Sequence, residues 1–246
     1  MKDNFSKQAK SYAIFRPHYP DEMIAYITSF VPRKDIALDV ATGNGQVAAK
    51  LAAYFEKVHA TDISEKQLEN ATHRDNIFYS VEPAEKSSFG NEQFDLITVA
   101  QAIHWFDFDA FYNEVGRTLK ADGIFAVLGY GLFTSNPETD RIIKEYYEDI
   151  TGPYWDPERR YLDENYETIP FPFDEFESRK FESAFKWTFE QLEGYLGTWS
   201  AAQHYIKAHG SHPFDLVRDR MKKSWGESDH RVTFHFLLRI GKKFPA

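Results

Sequence analysis

Cysteine is absent from this 246-residue chain. Without cysteine, no disulfide, thiolate nucleophile or cysteine-ligated metal site can form. Long apolar runs are absent too, because no uninterrupted stretch approaches the roughly 18 residues that a membrane span needs. The polar segment Met1 to Lys10 lacks the apolar core of a signal peptide. We therefore predict a cytoplasmic protein with no membrane partner.

An excess of positive charge is also missing. Acidic residues outnumber basic ones, 38 to 29, and the net charge is −9. A field of this sign repels nucleic acid and anionic lipid, so no nucleic-acid partner is predicted. The chain contains no P-loop, no Gly-x-Ser-x-Gly elbow and no His-Glu-x-x-His motif. His204, His209 and His212 match no zinc spacing, and no metal is predicted.

Aromatic residues, by contrast, are abundant. They make up 17% of the chain, within a hydrophobic content of 42%. This content is ample for a packed core, and the length fits a single α/β domain over residues 1–246. Aromatic residues crowd residues 130–177, whereas linkers are poor in them. We interpret 130–177 as an aromatic-rich cap insertion.

Buried apolar runs alternate with amphipathic segments. Strands are predicted at Ile36 to Ala41, Val58 to Thr61, Ile77 to Val81, Phe94 to Ala100, Ile124 to Leu128, near 178–188, and at Val232 to Ile240. Helices are predicted at 21–31, 46–55, 64–73, 107–120, near 138–150, and near 189–201 and 213–225. Alternating strands and helices form right-handed crossovers. The pattern predicts an α/β, Rossmann-like fold, with helices on both faces of a mostly parallel sheet.

The most informative segment is the turn after the first predicted strand. The apolar run ends at Gly43 and Gly45, and a helical pattern begins at Gln46. A strand, a glycine turn and a helix N-terminus let the backbone approach a nucleotide-like ligand closely, although an ordinary turn has the same pattern. Asp62 ends the next strand, where a carboxylate can accept hydrogen bonds from ribose hydroxyls or cap a helix. We therefore predict a nucleoside ligand.

Asp39 narrows the choice of ligand. It is expected at the C-terminal end of its strand, facing the bound molecule, where a carboxylate favours a cation and repels a pyrophosphate. S-adenosylmethionine carries a sulfonium and an ammonium, whereas NAD carries two phosphates. The charge of Asp39 therefore favours S-adenosylmethionine. NAD stays an alternative, because Gly43-x-Gly45-x-x-Ala48 is a permitted variant of the dinucleotide fingerprint.

The segment after the fourth predicted strand carries His104 and Trp105. In an open parallel sheet, ligands bind outside the carboxyl ends of the strands. His104 is therefore the candidate catalytic residue, either as a general base or as a hydrogen-bond donor to an acceptor carboxylate. It could equally order the loop. Trp105 is expected to form packing or a pocket wall.

Together these motifs resemble the class I S-adenosylmethionine-dependent methyltransferases. The motifs are Leu38-Asp39-Val40-Ala41-Thr42-Gly43-Asn44-Gly45, Asp62, Pro83-Ala84-Glu85, Phe94-Asp95-Leu96 and His104-Trp105-Phe106-Asp107. A second set is similar to the trans-aconitate methyltransferase-like branch: Tyr12 with Arg16 to Pro20, Tyr154-Trp155 with Arg159, Ile169 to Phe173, and Tyr195 to Ser200. The resemblance implies a seven-stranded sheet with an antiparallel last strand. It also implies transfer of a methyl group from S-adenosylmethionine.

The resemblance assigns cofactor binding to a set of residues. These are Tyr12, Asp39, Ala41, Gly43, Gly45, Asp62, Ile63, Ala84, Glu85 and Ala100. Asp39 and the glycine turn would hold the methionine end, Asp62 the ribose, and Ala84 and Glu85 would lie beside the adenine. Two positions depart from the family pattern: Ala41-Thr42 replaces the commoner glycine-cysteine pair, and Pro83 stands where many relatives have an adenine-binding aspartate.

Other segments are predicted to cover the cofactor and to bind the acceptor. Residues 1–20 would form a lid, with Tyr12 over the sulfonium, or Tyr12 and its neighbours would only anchor the terminus. Acceptor binding is assigned to Arg16, His104, Trp105, Trp155 and Arg159. Arg16, Arg159 and Arg160 could each clamp a carboxylate bidentately or form surface pairs.

The branch resemblance favours a small acidic metabolite as the acceptor, methylated on a carboxyl oxygen. A hypothesis from another class is a non-catalytic module that binds S-adenosylmethionine or a partner. The sequence carries no signal for oligomeric state.

Overall fold

The structure, a computed structural model, describes residues 14–226 and 228–244. The prediction for Tyr12, and residues 1–13 of the predicted lid, lie outside the described residues. No described helix has the length and apolar character needed to cross a bilayer.

A seven-stranded sheet organises the chain. In chain order the strands are β1 (Ile36–Val40), β2 (Lys57–Asp62), β3 (Ile77–Val81), β4 (Phe94–Ala100), β5 (Leu119–Tyr130), β6 (Asp174–Lys186) and β7 (Arg231–Lys242). Their order across the sheet is β3-β2-β1-β4-β5-β7-β6. Strands β1 to β5 pair in parallel, and β7 runs antiparallel to both β5 and β6. The predicted mostly parallel sheet and its antiparallel last strand are confirmed.

Helices cover both faces of this sheet. In chain order they are α1 (Asp21–Ser29), α2 (Gln46–Leu51), α3 (Glu65–Leu68), α4 (Phe108–Thr118), α5 (Pro137–Glu145), α6 (Arg160–Asp163), α7 (Phe189–Gly197), α8 (Ser200–His209) and α9 (Arg218–Gly226). Alternate residues of β5 belong to two separate hydrophobic clusters, Ala126 and Leu128 to one, Phe125 and Val127 to the other. Because side chains alternate across a strand, the two clusters lie on opposite faces of the sheet.

The fifth strand is longer than predicted. Residues 119–123 belong to β5 rather than to the end of a helix and a stop signal, and α4 ends at Thr118. Phe94 pairs with Leu119, whereas Leu96 pairs with Ile124, so the register shifts between these pairs. The extra residues of β5 therefore form an irregularity in the pairing. The start of the strand could not be predicted from apolar periodicity, because this irregularity interrupts the pattern.

Two predicted helices end early. The helices predicted at 46–55 and 64–73 are α2 and α3, which end at Leu51 and Leu68. After α2, the side-chain amide of Asn76 donates to the carbonyl oxygens of Ala52 and Phe55. This contact comes from the start of another strand, so helical periodicity alone could not reveal it.

The helix predicted near 189–201 is in fact two helices. Helix α7 ends at Gly197, Trp199 has an extended backbone, and α8 then runs to His209, a helix that the sequence analysis did not predict. The carbonyl oxygen of Thr198 at this break accepts a hydrogen bond from Arg16. A hydrogen bond from a residue 182 positions earlier in the chain therefore stabilises the break between the two helices.

Smaller differences affect the other elements. The helix predicted near 138–150 is α5 followed by a π-helical turn at Tyr146–Ile150. The segment predicted as a helix at 213–225 begins with a 3₁₀ turn at Pro213–Leu216, and α9 follows it. Strand β6 begins four residues before the predicted 178.

Candidate active site

Two cavities meet at the carboxyl ends of β1 and β4. We name the first the cofactor cavity because it contains several of the residues predicted to bind the cofactor; it is lined by Arg16, Pro17, Tyr19, Asp39, Ala41, Thr42, Gly43, Asn44, Gln46, Val47, Ala100, Gln101 and Tyr130. We name the second the acceptor cavity because it contains the residues predicted to bind the acceptor; it is lined by Arg16, Gln101, His104, Trp105, Trp155, Arg159, Leu162, Trp199 and Ser200. Arg16 and Gln101 line both, so molecules bound in the two cavities would meet beside these two side chains.

The glycine turn takes a left-handed backbone. Gly43 has φ +57° and Gly45 has φ +77°, a region that glycine enters at no steric cost. A Cβ on Gly45 would lie 2.3 Å from the hydroxyl oxygen of Tyr79. Gly45 is thus required both by its backbone angle and by the close approach of Tyr79.

Replacing Gly45 with alanine should lower the free energy of unfolding by about 2 kcal/mol, because the left-handed conformation alone costs an L-residue roughly 1–2 kcal/mol and Tyr79 must also move. Urea unfolding measures this change. Gly116→Ala is the matched control: a Cβ there meets no atom within 4 Å, and Gly116 lies inside α4. That control should gain about 0.5–1 kcal/mol. Equal effects of the two substitutions would contradict the assignment.

Asp39 is buried at the end of β1, with 1% of its surface exposed. One carboxylate oxygen accepts from the Thr98 hydroxyl at 2.8 Å. The other accepts from the Thr42 hydroxyl at 2.5 Å and from the backbone N–H of Ala48 at 3.2 Å. Burial raises the pKa of Asp39 to about 6, against these hydrogen bonds, which lower it. Asp39 lines the cofactor cavity, but its oxygens already hold the turn and α2, so it would act on a ligand mainly through its charge.

Asp62 ties the same turn to the next strand. One of its carboxylate oxygens accepts from the Gly43 N–H at 2.9 Å, and the other accepts from the Ser64 N–H at 2.9 Å. The residue that caps α3 through its side chain is Ser64. Asp62 therefore fixes the distance between the β1 turn and the end of β2, the position predicted to hold a ribose.

Two buried amide oxygens near the turn have no hydrogen-bond partner among the described residues. They are Oε1 of Gln46 and Oε1 of Gln67. Gln67 Oε1 lies 3.9 Å from the position that a Cβ would take on Gly43. An unmet buried acceptor costs roughly 1–3 kcal/mol, and hydroxyl or ammonium donors of a ligand would remove that cost. Together with the acid at Asp39, these acceptors fit a cationic nucleoside such as S-adenosylmethionine.

The end of β4 is strained beside both cavities. Gln101 has φ +56°, which is rare for a residue other than glycine, and Ala41 at the end of β1 has φ +51°. The Gln101 amide donates to the Tyr130 carbonyl at 2.9 Å and accepts from the Tyr130 N–H at 2.8 Å. These bonds hold the strained residue, and such strain often accompanies a ligand site.

The residues predicted for the adenine do not line either cavity. Ala84 packs in a hydrophobic cluster, and Ile63 is half-buried. The carboxylate of Glu85 accepts from the backbone N–H of Asp107 at 3.4 Å. Their part in adenine binding stays a prediction.

His104 is buried in a 3₁₀ turn after β4 and lines the acceptor cavity. Its Nδ1 is 2.9 Å from the hydroxyl oxygen of Tyr166. Burial, with a smaller effect from the charge of Arg159, lowers the pKa of His104 to about 3. The ring is therefore neutral at physiological pH and a weak proton acceptor, which favours the predicted hydrogen-bonding role over the predicted role as a base.

Arg159 has two unengaged nitrogens at the acceptor cavity. Its Nε donates to the Tyr147 hydroxyl at 2.8 Å and lies 3.4 Å from Asp163. Its guanidinium stacks over the rings of Trp155 and Tyr147. The two terminal nitrogens have no hydrogen-bond partner among the described residues, so they can bind both oxygens of a carboxylate.

Arg16 is held differently. Its two terminal nitrogens donate to the Tyr130 hydroxyl at 3.2 Å and to the Thr198 carbonyl at 3.1 Å. The adjacent Phe15 packs so closely on α7 that a Cβ on Gly194 would lie 2.5 Å from its ring. Arg16 thus joins the N-terminal segment to β5 and α7 at the junction of the two cavities. Arg160, by contrast, stacks on Tyr161 and does not line the acceptor cavity.

Several lining residues escaped the sequence analysis as individual candidates. They are Pro17, Tyr19, Thr42, Asn44, Gln46, Val47, Gln101, Tyr130, Leu162, Trp199 and Ser200. Thr42 and Gln46 flank the glycine turn and could have been found by extending the motif. Trp199 and Ser200 could not have been found by spacing, because the break between α7 and α8 places them. Among the described residues, no group of three or more His, Cys, Asp or Glu side chains could hold a metal ion.

Comparison with known proteins identifies the family. Residues 38–127 match the model of a methyltransferase domain. A protein of Dictyostelium discoideum that is named as a methyltransferase is 36% identical over 231 residues, which cover 92% of this chain and 88% of that relative. A Saccharomyces cerevisiae protein named as an S-adenosylmethionine-dependent methyltransferase is 25% identical over 285 residues, with 97% of each chain covered.

A solved structure gives the same result. The structure named as a type II methyltransferase from Anaeromyxobacter dehalogenans is 35% identical and superposes with a TM-score of 0.85, covering 94% of this chain and 100% of that chain. The dehydrogenase and non-catalytic alternatives are therefore set aside. The chain belongs to the class I S-adenosylmethionine-dependent methyltransferases, enzymes that take their methyl group from S-adenosylmethionine.

Proposed function

We propose that this enzyme methylates a carboxyl oxygen of a small acidic molecule. The observation that carries the proposal is the composition of the acceptor cavity, which is lined by two guanidinium groups and a neutral histidine. Among the described lining residues there is no aspartate, glutamate or lysine. A cavity with this charge favours an anion. The motifs that resemble the trans-aconitate methyltransferase-like branch agree with such an acceptor.

The absence of an effective base in the lining also favours a carboxylate. A hydroxyl or ammonium acceptor must lose a proton before or during methyl transfer, and the best acids and bases have a pKa near the working pH. His104, with a pKa of about 3, is far from that range. A carboxylate is already deprotonated at neutral pH, so it needs no base.

The chemistry then depends on position. When bound, S-adenosylmethionine supplies a methyl group that is activated by its sulfonium. A carboxylate oxygen would form the new bond to the methyl carbon while the carbon–sulfur bond breaks and its electron pair stays on sulfur. No proton is released. Arg159 would hold the acceptor, and Arg16 and Gln101 would form the wall where the two cavities meet. Holding both reactants in line supplies most of the rate enhancement.

The cofactor positions would be divided as the family resemblance implies. Asp39 and the glycine turn would take the methionine end, Asp62 the ribose, and the backbone carbonyl of Ala100 the ammonium. Ile63, Ala84 and Glu85 would lie near the adenine. Trp105 and Trp155 would form the walls around the acceptor. Tyr12 and residues 1–20 would cover the cofactor, and residues 130–177 would cap the acceptor.

A methylation screen tests the proposal. The purified enzyme would be incubated with S-adenosylmethionine and panels of di- and tricarboxylic acids, phenols and amines, with mass detection of products and of S-adenosylhomocysteine. We expect methyl esters from one or more carboxylic acids and no product from the phenols or amines. A phenol or an amine turned over faster than every carboxylic acid would refute the carboxylate assignment. Reactions without the cofactor provide the blank.

A further inference from the structure

Tyr166 is in direct contact with His104. Its hydroxyl oxygen is 2.9 Å from His104 Nδ1, and the two ring centroids are 5.8 Å apart. Only 1% of Tyr166 is exposed. Tyr166 comes from the segment predicted as a cap, 62 residues after His104, and no sequence motif pointed to it. A residue of this segment thus contacts Nδ1 of the candidate catalytic side chain, which itself lines the acceptor cavity.

The backbone of Tyr166 is held in an uncommon conformation. Asn165 and Tyr166 have φ +52° and +61°, two consecutive left-handed residues without glycine. The Tyr166 N–H donates to the Tyr161 carbonyl at 2.7 Å, and the Tyr166 carbonyl accepts from Arg239 at 2.7 Å. Residues in such conformations persist when surrounding contacts over-determine them, and they cluster at functional sites.

Gly129 makes room for the tyrosine ring. A Cβ on Gly129, in β5, would lie 2.4 Å from Tyr166 Cε2. The ring therefore lies against the backbone of β5. The left-handed backbone, the hydrogen bond from Arg239 and the absence of a side chain on Gly129 together place the Tyr166 hydroxyl beside His104 Nδ1.

We propose that Tyr166 is a positioning residue that donates its hydroxyl hydrogen to His104 Nδ1 and thereby keeps the second ring nitrogen, Nε2, protonated as a donor to the acceptor carboxylate. The part of this statement that concerns the acceptor rests on the proposed function. A neutral histidine has one donor and one acceptor nitrogen, and the partner of one nitrogen sets the state of the other.

The direction of the bond follows from the chemistry of the pair. An imidazole nitrogen is a stronger acceptor than a phenol oxygen, and a phenol is a good donor. His104 stays neutral in its buried position. Its Nε2 has no hydrogen-bond partner among the described residues, because the ring contacts Tyr166 through Nδ1. An Nε2–H donor also matches the charge of a carboxylate beside Arg159.

Nitrogen NMR of the intact enzyme, labelled with ¹⁵N-histidine, tests the tautomer directly. The His104 signals are assigned by their loss in His104→Gln. We expect the wild-type His104 to be neutral, with the proton on Nε2. In Tyr166→Phe, which keeps the ring and removes only the hydroxyl, we expect a measurable population with the proton on Nδ1. A proton on Nδ1 in the wild type, or an unchanged His104 spectrum in Tyr166→Phe, would overturn the proposal.

Kinetics with a carboxylic acid found in the screen give a second readout. A hydrogen bond to the carboxylate that persists in the transition state contributes equally to the binding of both states, so its loss raises KM and leaves kcat nearly unchanged. Tyr166→Phe should therefore raise the acceptor KM about 10-fold and change kcat less than twofold, with the Kd of S-adenosylhomocysteine unchanged. Equal KM values for the variant and wild type would refute the positioning role.

Two further variants separate positioning from general stability. Tyr112→Phe is the matched control, since the Tyr112 hydroxyl also donates within this region, to the Pro170 carbonyl, but does not touch His104. It should leave the His104 tautomer and the acceptor KM unchanged. Gly129→Ala displaces the Tyr166 ring without altering its hydroxyl and should reproduce the change in tautomer. If the screen yields no methyl ester but the tautomer shifts as expected, the proposed function fails while the Tyr166–His104 pairing stands.

Discussion

Asp39→Asn should weaken the binding of S-adenosylmethionine about 10²-fold at pH 7 while making the ligand-free enzyme more stable. The two effects have the same origin. Burial raises the pKa of Asp39 to about 6, so holding its charge in the folded protein is unfavourable without a cationic ligand. A bound sulfonium and ammonium would offset that cost. Asparagine removes both the cost and the attraction.

The hydrogen bonds should survive this substitution. The asparagine oxygen can replace the oxygen that accepts from Thr42 and the Ala48 N–H. The amide nitrogen then faces the Thr98 hydroxyl, which can accept because it has an alternative acceptor of its own, the Leu38 carbonyl at 3.4 Å. The substitution therefore tests charge rather than local structure.

The sign of the pH dependence follows from linkage. The folded pKa of Asp39, about 6, lies above the ordinary value of 3.8. Between these values the folded state holds the proton more tightly, so stability falls as pH rises and the full cost is present above pH 6. The stability gain of Asp39→Asn should reach up to about 3 kcal/mol at pH 7 and become small near pH 4. Cofactor affinity of the wild type should fall below pH 6, and that of the variant should not.

Calorimetry with two nucleosides provides the control. S-adenosylmethionine carries positive charge, whereas 5′-methylthioadenosine is neutral, so only the first should lose affinity in Asp39→Asn. Equal losses for both would show that the turn had been disordered and would sink the electrostatic assignment. Asp95→Asn is the matched variant: this buried aspartate of β4 accepts from the Ile36 N–H and pairs with Lys120. Asp95→Asn should lower the free energy of unfolding and leave the affinity for S-adenosylmethionine unchanged.

Arg159→Ala should lower kcat/KM for the carboxylic acceptor by 10²- to 10³-fold, mainly through KM. Bidentate pairs between a guanidinium and a carboxylate are strong hydrogen-bonded contacts, and a buried charged pair that loses one partner typically costs about 3–5 kcal/mol. The terminal nitrogens of Arg159 have no hydrogen-bond partner among the described residues, and the structural effect of also losing the Nε bond to Tyr147 is measured separately as the change in melting temperature. Steady-state kinetics, with the acceptor and the cofactor varied separately, measure the effect.

Arg160→Ala is the control for this experiment. The two arginines are adjacent, but Arg160 stacks on Tyr161 at the surface and does not line the acceptor cavity. Its removal should change kcat/KM less than twofold. Arg159→Lys should recover only part of the activity, because a lysine binds as a point charge and not as a planar fork. If Arg159→Ala and Arg160→Ala have equal effects, Arg159 does not bind the acceptor.

The elements that depend on short-range sequence signals were predicted well. Strands β3 and β4 occupy the predicted residues, since short, mostly apolar runs between polar residues are a strong signal. The side chain of Ser64 caps α3, and a serine followed three residues later by a glutamine is a cap signal that a sequence carries by itself. The glycine turn, with its left-handed residues, follows from the spacing of Gly43 and Gly45.

The elements that depend on distant contacts were predicted less well. The end of α2 depends on Asn76, and the break between α7 and α8 depends on Arg16. The early start of β5 depends on its pairing with β4. Each contact joins residues that are far apart in the chain, so neither periodicity nor capping signals could reveal it.

The sequence by itself determined the sheet, the glycine turn and the acid at the end of β1, because these follow from apolar periodicity, from the backbone freedom of glycine and from charge. Only the tertiary structure decided the state of the side chains in the site. It buried Asp39 and raised the pKa of that residue, it made His104 neutral, and it placed the Tyr166 hydroxyl beside Nδ1 of His104. Burial and long-range hydrogen bonds set these properties, and both exist only once the chain has folded.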